Sequence, residues 1–89
     1  ITEVDGYASL NTRIKDILES VDDIVLRDML LPIAGEDSIL GRPGKLKSLN
    51  NMTVLRLMSL VAGTLNVEIT KEQLLGLNEK LNKIELKRS

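Results

Sequence analysis

Apolar residues recur every three or four positions over most of the chain, which is the spacing of amphipathic helices. The first such stripe predicts a helix over about residues 10–21, with Asn11 or Thr12 as its N-cap. The apolar members of this stripe are Ile14, Ile17, Leu18 and Val21. Residues 1–9 precede the stripe and are expected to form an N-terminal tail.

A second apolar group follows Asp22 and Asp23. It either continues the first helix or forms a short second helix that has acidic residues at its N-terminus. Pro32 and Gly35 are expected to end this segment, because both residues disfavour a continuing helix. The apolar members of the group are Ile24, Leu26, Met29, Leu30 and Leu31.

Residues 32–47 are predicted to form a long connection, since the Gly-Arg-Pro-Gly sequence at 41–44 is typical of a turn and incompatible with a helix. Three apolar residues, Ile39, Leu40 and Leu46, indicate that this connection packs on the core. The strongest helix is predicted over residues 48–62. Its stripe comprises Leu49, Met52, Leu55, Met58 and Val61, and it is widened by Val54, Leu57 and Leu60.

The last third predicts two short helices. Thr70 to Gln73 has the pattern of a capping box that begins the first of them, and Gly76 is expected to interrupt it. Asn78 is a candidate cap for the second helix, which Leu77, Leu81 and Ile84 line. Residues 87–89 are expected to fray. The predicted fold is a single all-α domain over residues 1–89, a small bundle of three to four helices with a long loop between helices one and two.

The amino-acid composition excludes several kinds of catalytic and metal-binding site. The 89 residues include no cysteine and no histidine, which excludes disulfides, thiolate nucleophiles, Cys/His zinc sites and a Ser-His-Asp triad. We therefore expect neither enzymatic activity nor a metal site. No apolar run reaches the roughly 18 residues that a membrane span requires. The absence of cysteine is typical of a reducing compartment, so a cytoplasmic protein is expected.

Charge is unevenly distributed along the chain. Residues 1–37 contain nine acidic and three basic residues, whereas residues 38–89 contain four acidic and nine basic residues. This polarity favours an oriented protein partner. Nucleic-acid binding is not expected, because the basic half lacks aromatic residues that would stack on bases.

The order of elements and the loop lengths resemble the acyl carrier and peptidyl carrier protein family over about residues 10–86. Residues 37–40, Asp-Ser-Ile-Leu, resemble the apolar anchor of the family's long loop, and residues 46–49, Leu-Lys-Ser-Leu, resemble its serine box. The resemblance implies that Ser48 carries 4′-phosphopantetheine, whose thiol holds acyl or aminoacyl groups as thioesters. It also implies a cytoplasmic monomer that meets a phosphopantetheinyl transferase and acyl-transferring or condensing enzymes.

Two registers of this resemblance are possible. The upstream loop fits the family with Ser48 at the attachment position, whereas the apolar series from Met52 to Ile69 fits only with Asn51 there. An extra turn at residues 50–52 would reconcile the halves, because one turn leaves an apolar face nearly aligned. In the second register the attachment hydroxyl is absent, and the chain is a carrier-like fold without the prosthetic group.

A serine at a helix N-terminus suits an attached phosphodiester, because free backbone N–H groups and the positive end of the helix dipole lie there. The alternative is that Ser48 is a simple N-cap. Lys47 stands where the family has aspartate, which leaves recognition by a standard transferase open. Predicted partner contacts are Lys47, Leu49, Met52 and Arg56.

Other constellations are interpreted structurally. Ser38 follows a glycine-x-aspartate pattern, but Gly41 and Pro43 exclude the helix that an attachment site requires. The Gly-Arg-Pro-Gly sequence lacks the strand and the Lys-Ser/Thr element of a phosphate-binding loop, although Arg42 and Lys45 remain available to a partner. The acidic residues around Asp22 are interpreted as a solvated face or a helix cap, since they lack the loop spacing of a calcium site. The competing function is a helical interaction module that binds a partner through residues 48–62.

Overall fold

The structure, a computed structural model, describes residues 2–42 and 44–87. In this part of the chain there are five α-helices, a 3-10 turn at Ile39–Gly41 and no β-strand. The helices are α1 (Ile14–Leu18), α2 (Asp23–Ala34), α3 (Lys45–Ser48), α4 (Val54–Leu65) and α5 (Lys71–Leu81). The prediction of a small all-α bundle is confirmed.

Helix α2 is the centre of the bundle and contacts the 3-10 turn and all four other helices. It is a separate helix with Asp22 as N-cap, so the second of the two interpretations of this segment is confirmed. Gly35 ends it at a φ of 87°, and its N–H donates to the Leu31 carbonyl at 2.7 Å. The expectation that Pro32 ends it is wrong, because the helix continues to Ala34, whose side chain is buried.

Helix α1 is shorter than the helix predicted over residues 10–21, because the residues before it pair with another segment. Leu10 and Thr12 carbonyls accept from the N–H groups of Leu55 and Val54, at 2.9 and 3.1 Å. The Ile14 N–H donates to the Met52 carbonyl at 2.9 Å. The N-cap is Arg13, without a side-chain bond, so the predicted caps Asn11 and Thr12 are wrong.

The segment expected to be an N-terminal tail is partly built into the fold. Ala8 and Leu10 are fully buried. The Ala8 N–H donates to the Ile84 carbonyl at 2.9 Å, and the Leu86 N–H donates to the Gly6 carbonyl at 2.8 Å. Of the residues expected to fray, Lys87 donates its N–H to the Ser20 hydroxyl, and residues 88–89 lie outside the described residues.

Helix α5 replaces the two short helices that the sequence predicts. The capping box is confirmed, since Thr70 and Gln73 exchange side-chain to backbone hydrogen bonds of 3.1 and 2.9 Å. Gly76 does not interrupt the helix. Asn78 is not a cap: it is 2% exposed, accepts from the Leu10 N–H at 2.9 Å and donates to the Thr2 carbonyl at 2.8 Å. It thereby fixes the N-terminal segment on α5.

The connection between α2 and α4 packs on the core, as predicted, through buried Leu40 and Leu46. The prediction that residues 41–44 are non-helical is wrong for Gly41, which belongs to the 3-10 turn. A Cβ at Gly41 would overlap the Glu36 carbonyl oxygen, so the turn requires glycine there. Gly44, at a φ of 76°, precedes α3; Pro43 lies outside the described residues.

Candidate functional site

Ser48 is the last residue of α3 and is exposed. Its hydroxyl donates to the Lys45 carbonyl at 2.8 Å. The strongest helix, α4, begins six residues later at Val54, and its N-cap is Thr53, whose hydroxyl accepts from the Arg56 N–H at 3.1 Å. The prediction that Ser48 lies at the N-terminus of this helix, as attachment point or as N-cap, is therefore wrong.

The position of Ser48 changes the electrostatics that the sequence analysis assumed. It lies at the C-terminal end of a four-residue helix, where backbone carbonyls rather than N–H groups are free. Carbonyl dipoles at this end disfavour a neighbouring anion. Ser48 consequently lacks the free N–H groups and the positive dipole end that would favour an attached phosphodiester.

Asn51 lies in the turn between α3 and α4 and is exposed. It precedes the Thr53 cap by two residues, so it is closer to the start of the strongest helix than Ser48 is. The apolar residues counted from Asn51 agree with burial in α4, where Leu57, Met58 and Val61 are in the core.

The four predicted partner residues separate into two groups. Lys47 is exposed on α3, and Leu49 packs partly buried against the core. Met52 and Arg56 come together with Ser59 and Leu60 around a surface hollow of about 270 Å³. Only the second group therefore lies together in one concave surface.

A second hollow of about 110 Å³ lies further along α4 and shares Ser59 with the first. Met58 and Ala62 line it from α4, and Ile69 and Leu74 line it from the following link and α5. We call the two hollows together the α4 surface. It extends over two turns of α4, or roughly 9 Å from Arg56 to Ala62 at 1.5 Å per residue.

Among the described residues, Arg56 is the only charged residue that lines the α4 surface, and α4 contains no acidic residue. Within residues 2–42 and 44–87 the Arg56 side chain has no carboxylate within 4 Å. The surface is consequently apolar with one unpaired positive charge, which a partner carboxylate is able to neutralise.

Gly63 follows Ser59 and Leu60 by four and three residues, so it shares their side of α4. A Cβ built on Gly63 has no atom within 4 Å among the described residues. Glycine inside a helix lowers stability by about 1 kcal/mol relative to alanine. No described neighbour requires glycine at this position, and the missing side chain leaves the backbone accessible from outside.

Sequence reasoning assigned Leu60 to a widened buried stripe, yet Leu60 is 41% exposed. The width of the stripe indicated that some of its residues would stay exposed. Eight apolar residues in 13 positions cover more of the helix than one neighbouring layer buries. Ile69 and Leu74 gave no comparable signal, since only the tertiary fold places them beside Met58.

The chain matches no protein-family model, and no curated protein or solved structure is significantly similar to it. The resemblance to carrier proteins therefore rests on its own residues and stays a prediction. In the described part of the chain, no group of three carboxylates comes together as a metal site. None of the described helices combines the length and the apolar character needed to span a membrane.

Proposed function

We propose that this chain is a helical interaction module whose α4 surface binds one amphipathic helix of a partner protein. The observation that carries the proposal is the pair of joined hollows around Ser59, which are lined by apolar side chains and open to solvent. Helices that dock in grooves insert apolar side chains at intervals of three, four or seven residues. The two hollows together extend over about two helical turns, so each can accept one such side chain.

The charge of the α4 surface specifies the partner further. Arg56 lies beside Met52 and Leu60 at the rim of the larger hollow. An acidic residue next to the apolar stripe of the partner helix would pair with this guanidinium, whose planar fork fits a carboxylate. A basic residue at the same place would be repelled, so the surface discriminates between partners by charge.

The test uses a designed peptide helix with leucines spaced by four residues and one glutamate beside them. A matched peptide has lysine in place of that glutamate. We expect amide shifts of Arg56, Ser59 and Leu60 to change saturably with the glutamate peptide. Binding of the lysine peptide to the native chain should be at least about tenfold weaker, and Arg56→Glu should reverse that preference.

Leu60→Ala should weaken binding of the glutamate peptide about fivefold or more, since truncating a central apolar contact typically removes about 1 kcal/mol. Val25→Ala is the control, because Val25 has a similar exposure of 44% but does not line the α4 surface. Failure of the glutamate peptide to bind, or equal weakening by both substitutions, would contradict the proposal. Self-association through the same residues would identify a second copy as the occupant instead.

Phosphopantetheine on Ser48 is a separate prediction, and the exposed hydroxyl meets its requirement for access. Intact mass tests it directly after coexpression with a broad-specificity phosphopantetheinyl transferase. A gain of one phosphopantetheine that Ser48→Ala abolishes would establish the carrier function. An unchanged mass, with a standard carrier modified in parallel, would eliminate it and leave the interaction module.

A further inference from the structure

We propose a second binding site, a cationic cleft that takes a phosphomonoester group. The cleft lies between the first turns of α2 and the residues around α3, and its volume is about 180 Å³. Asp23, Ile24 and Arg27 line it from α2, and Leu40, Arg42 and Lys45 line it from the connection and α3. None of these residues lines the α4 surface, so this proposal does not depend on the first.

Arg27 contributes a donor without an acceptor. Its Nε atom is buried and has no hydrogen-bond partner among the described residues, although the side chain as a whole is 29% exposed. The nearest carboxylate oxygen, Asp28 Oδ1, is 3.9 Å away, which is too far for a hydrogen bond. Because this Nε atom is closed to solvent, an oxyanion in the cleft would have to pair with the outer guanidinium nitrogens of the partly exposed Arg27 side chain.

The charge of the cleft favours an anion. Three cationic side chains, Arg27, Arg42 and Lys45, line it together with one carboxylate, Asp23. Within the described ranges, neither Arg42 nor Lys45 has an acidic group within 4 Å. The lining cations exceed the lining carboxylates by two, and the pairing of Asp28 with Arg27 at 3.9 Å leaves a local excess of about one positive charge. A phosphomonoester carries a charge of about −1.5 to −2 at pH 7, and guanidinium forks bind its oxygens in pairs.

The size of the cleft restricts the ligand to a small group. Its volume of about 180 Å³ is below the roughly 300 Å³ at which pockets for drug-sized ligands begin. A phosphate with a short carbon stem fits this limit, and Ile24, which is 52% exposed, offers the stem an apolar contact. The side chains of two elements form this site, so it does not require the backbone cradle of a phosphate-binding loop, which the sequence lacks.

The test is a titration of the ¹⁵N-labelled chain with O-phosphoserine and with inorganic phosphate at low salt. We expect saturable amide shifts at Ile24, Arg27 and Lys45 with both probes. Glutamate should bind more weakly, because its side chain has one negative charge where phosphoserine has nearly two. Arg42→Gln and Lys45→Gln should each weaken phosphoserine binding about tenfold, as loss of a charge-assisted hydrogen bond does. Arg42 is exposed, so its replacement leaves the core intact.

Lys47→Gln is the matched control, because it removes the same charge two residues from Lys45 but outside the cleft. It should change phosphoserine affinity less than about twofold. Absence of saturation with both probes, or equal weakening by Lys45→Gln and Lys47→Gln, would overturn the proposal. A peptide that contains phosphoserine separates the two sources of the ligand: tighter binding than free phosphoserine indicates a phosphorylated protein, and equal binding indicates a small metabolite.

Discussion

The inner and outer sides of α4 have similar apolar residues but different surroundings. On the inner side Val54, Leu57 and Val61 are at most 1% exposed. On the outer side Leu60 is exposed, and it lies with Ser59 and Arg56 over open hollows. Helix α2 packs against α4, whereas no described element covers the hollows. Burial in this helix is therefore decided by the neighbouring element and not by hydrophobicity alone.

This difference separates stability from binding within one helix. Inner residues lose contact with water when the chain folds, so they contribute most of the apolar stabilisation. Outer residues remain in water until a partner covers them, and so they contribute to association instead. Substitutions on the two sides should consequently affect different measurements.

The largest expected effect is on the inner side. Leu57→Ala should lower the free energy of unfolding by about 3 kcal/mol, because it removes buried methyl groups and leaves a cavity. Leu60→Ala should lower it by less than about 1 kcal/mol, since Leu60 is already partly in water. Urea denaturation of both variants measures the difference, and similar losses would show that the two sides are not distinct.

The second-largest effect is expected at Asn78, whose side chain forms buried hydrogen bonds. Asn78→Ala should lower the free energy of unfolding by about 2 kcal/mol, because the Leu10 N–H would lose its acceptor inside the fold. Asn11→Ala is the control, as Asn11 is exposed and its side chain forms no hydrogen bond in the described residues. Urea midpoints should fall for the first variant only; a small effect at Asn78 would mean that water replaces its hydrogen bonds.

A smaller loss of stability is expected at the start of α4, where the hydroxyls of Thr53 and Ser48 are compared. Thr53→Ala should lower stability by about 1 kcal/mol, because the Arg56 N–H loses its capping bond. Ser48→Ala should change it by less than about 0.5 kcal/mol, since the Ser48 hydroxyl is exposed and bonds only to a carbonyl. The reverse order in thermal or urea unfolding would place the start of the helix near Ser48 after all.

The smallest expected change is a gain in stability on the outer side. Gly63→Ala should raise the free energy of unfolding by about 0.5 to 1 kcal/mol, because alanine favours the helix and meets no neighbouring atom. The added methyl group should also weaken binding of the glutamate peptide, if the peptide approaches the backbone at Gly63. Gly41→Ala provides the contrast and should destabilise, since its Cβ would overlap the Glu36 carbonyl. A gain in stability for Gly41→Ala would contradict the close approach of Gly41 to the Glu36 carbonyl in this turn.

Sequence reasoning predicted the features that depend on neighbouring residues. The capping box between Thr70 and Gln73 forms as expected, because both of its hydrogen bonds are local. Gly35 ends α2, since its positive φ suits glycine. Of the four predicted partner residues, Met52 and Arg56 line the same hollow, and their role in binding a partner stays a prediction.

The position of Ser48 was not predictable in the same way. Its local pattern suits the start of a helix, and a short helix does lie there, but Ser48 is at its end. The apolar period continues through residues 49–53 without a break, so periodicity gave no sign of the turn that separates α3 from α4. The cationic cleft also joins residues from distant parts of the chain, which spacing alone does not bring together.

The sequence by itself determined that the chain is helical, which apolar residues form most of its core, and that a capping box begins α5 at Thr70. Those properties follow from periodicity and from bonds between residues three or four apart. Only the tertiary structure decided where α1 and α4 begin. The first two N–H groups of α1 donate to the Met52 and Asn50 carbonyls, and the first two of α4 donate to the Thr12 and Leu10 carbonyls, so each segment caps the start of the other helix.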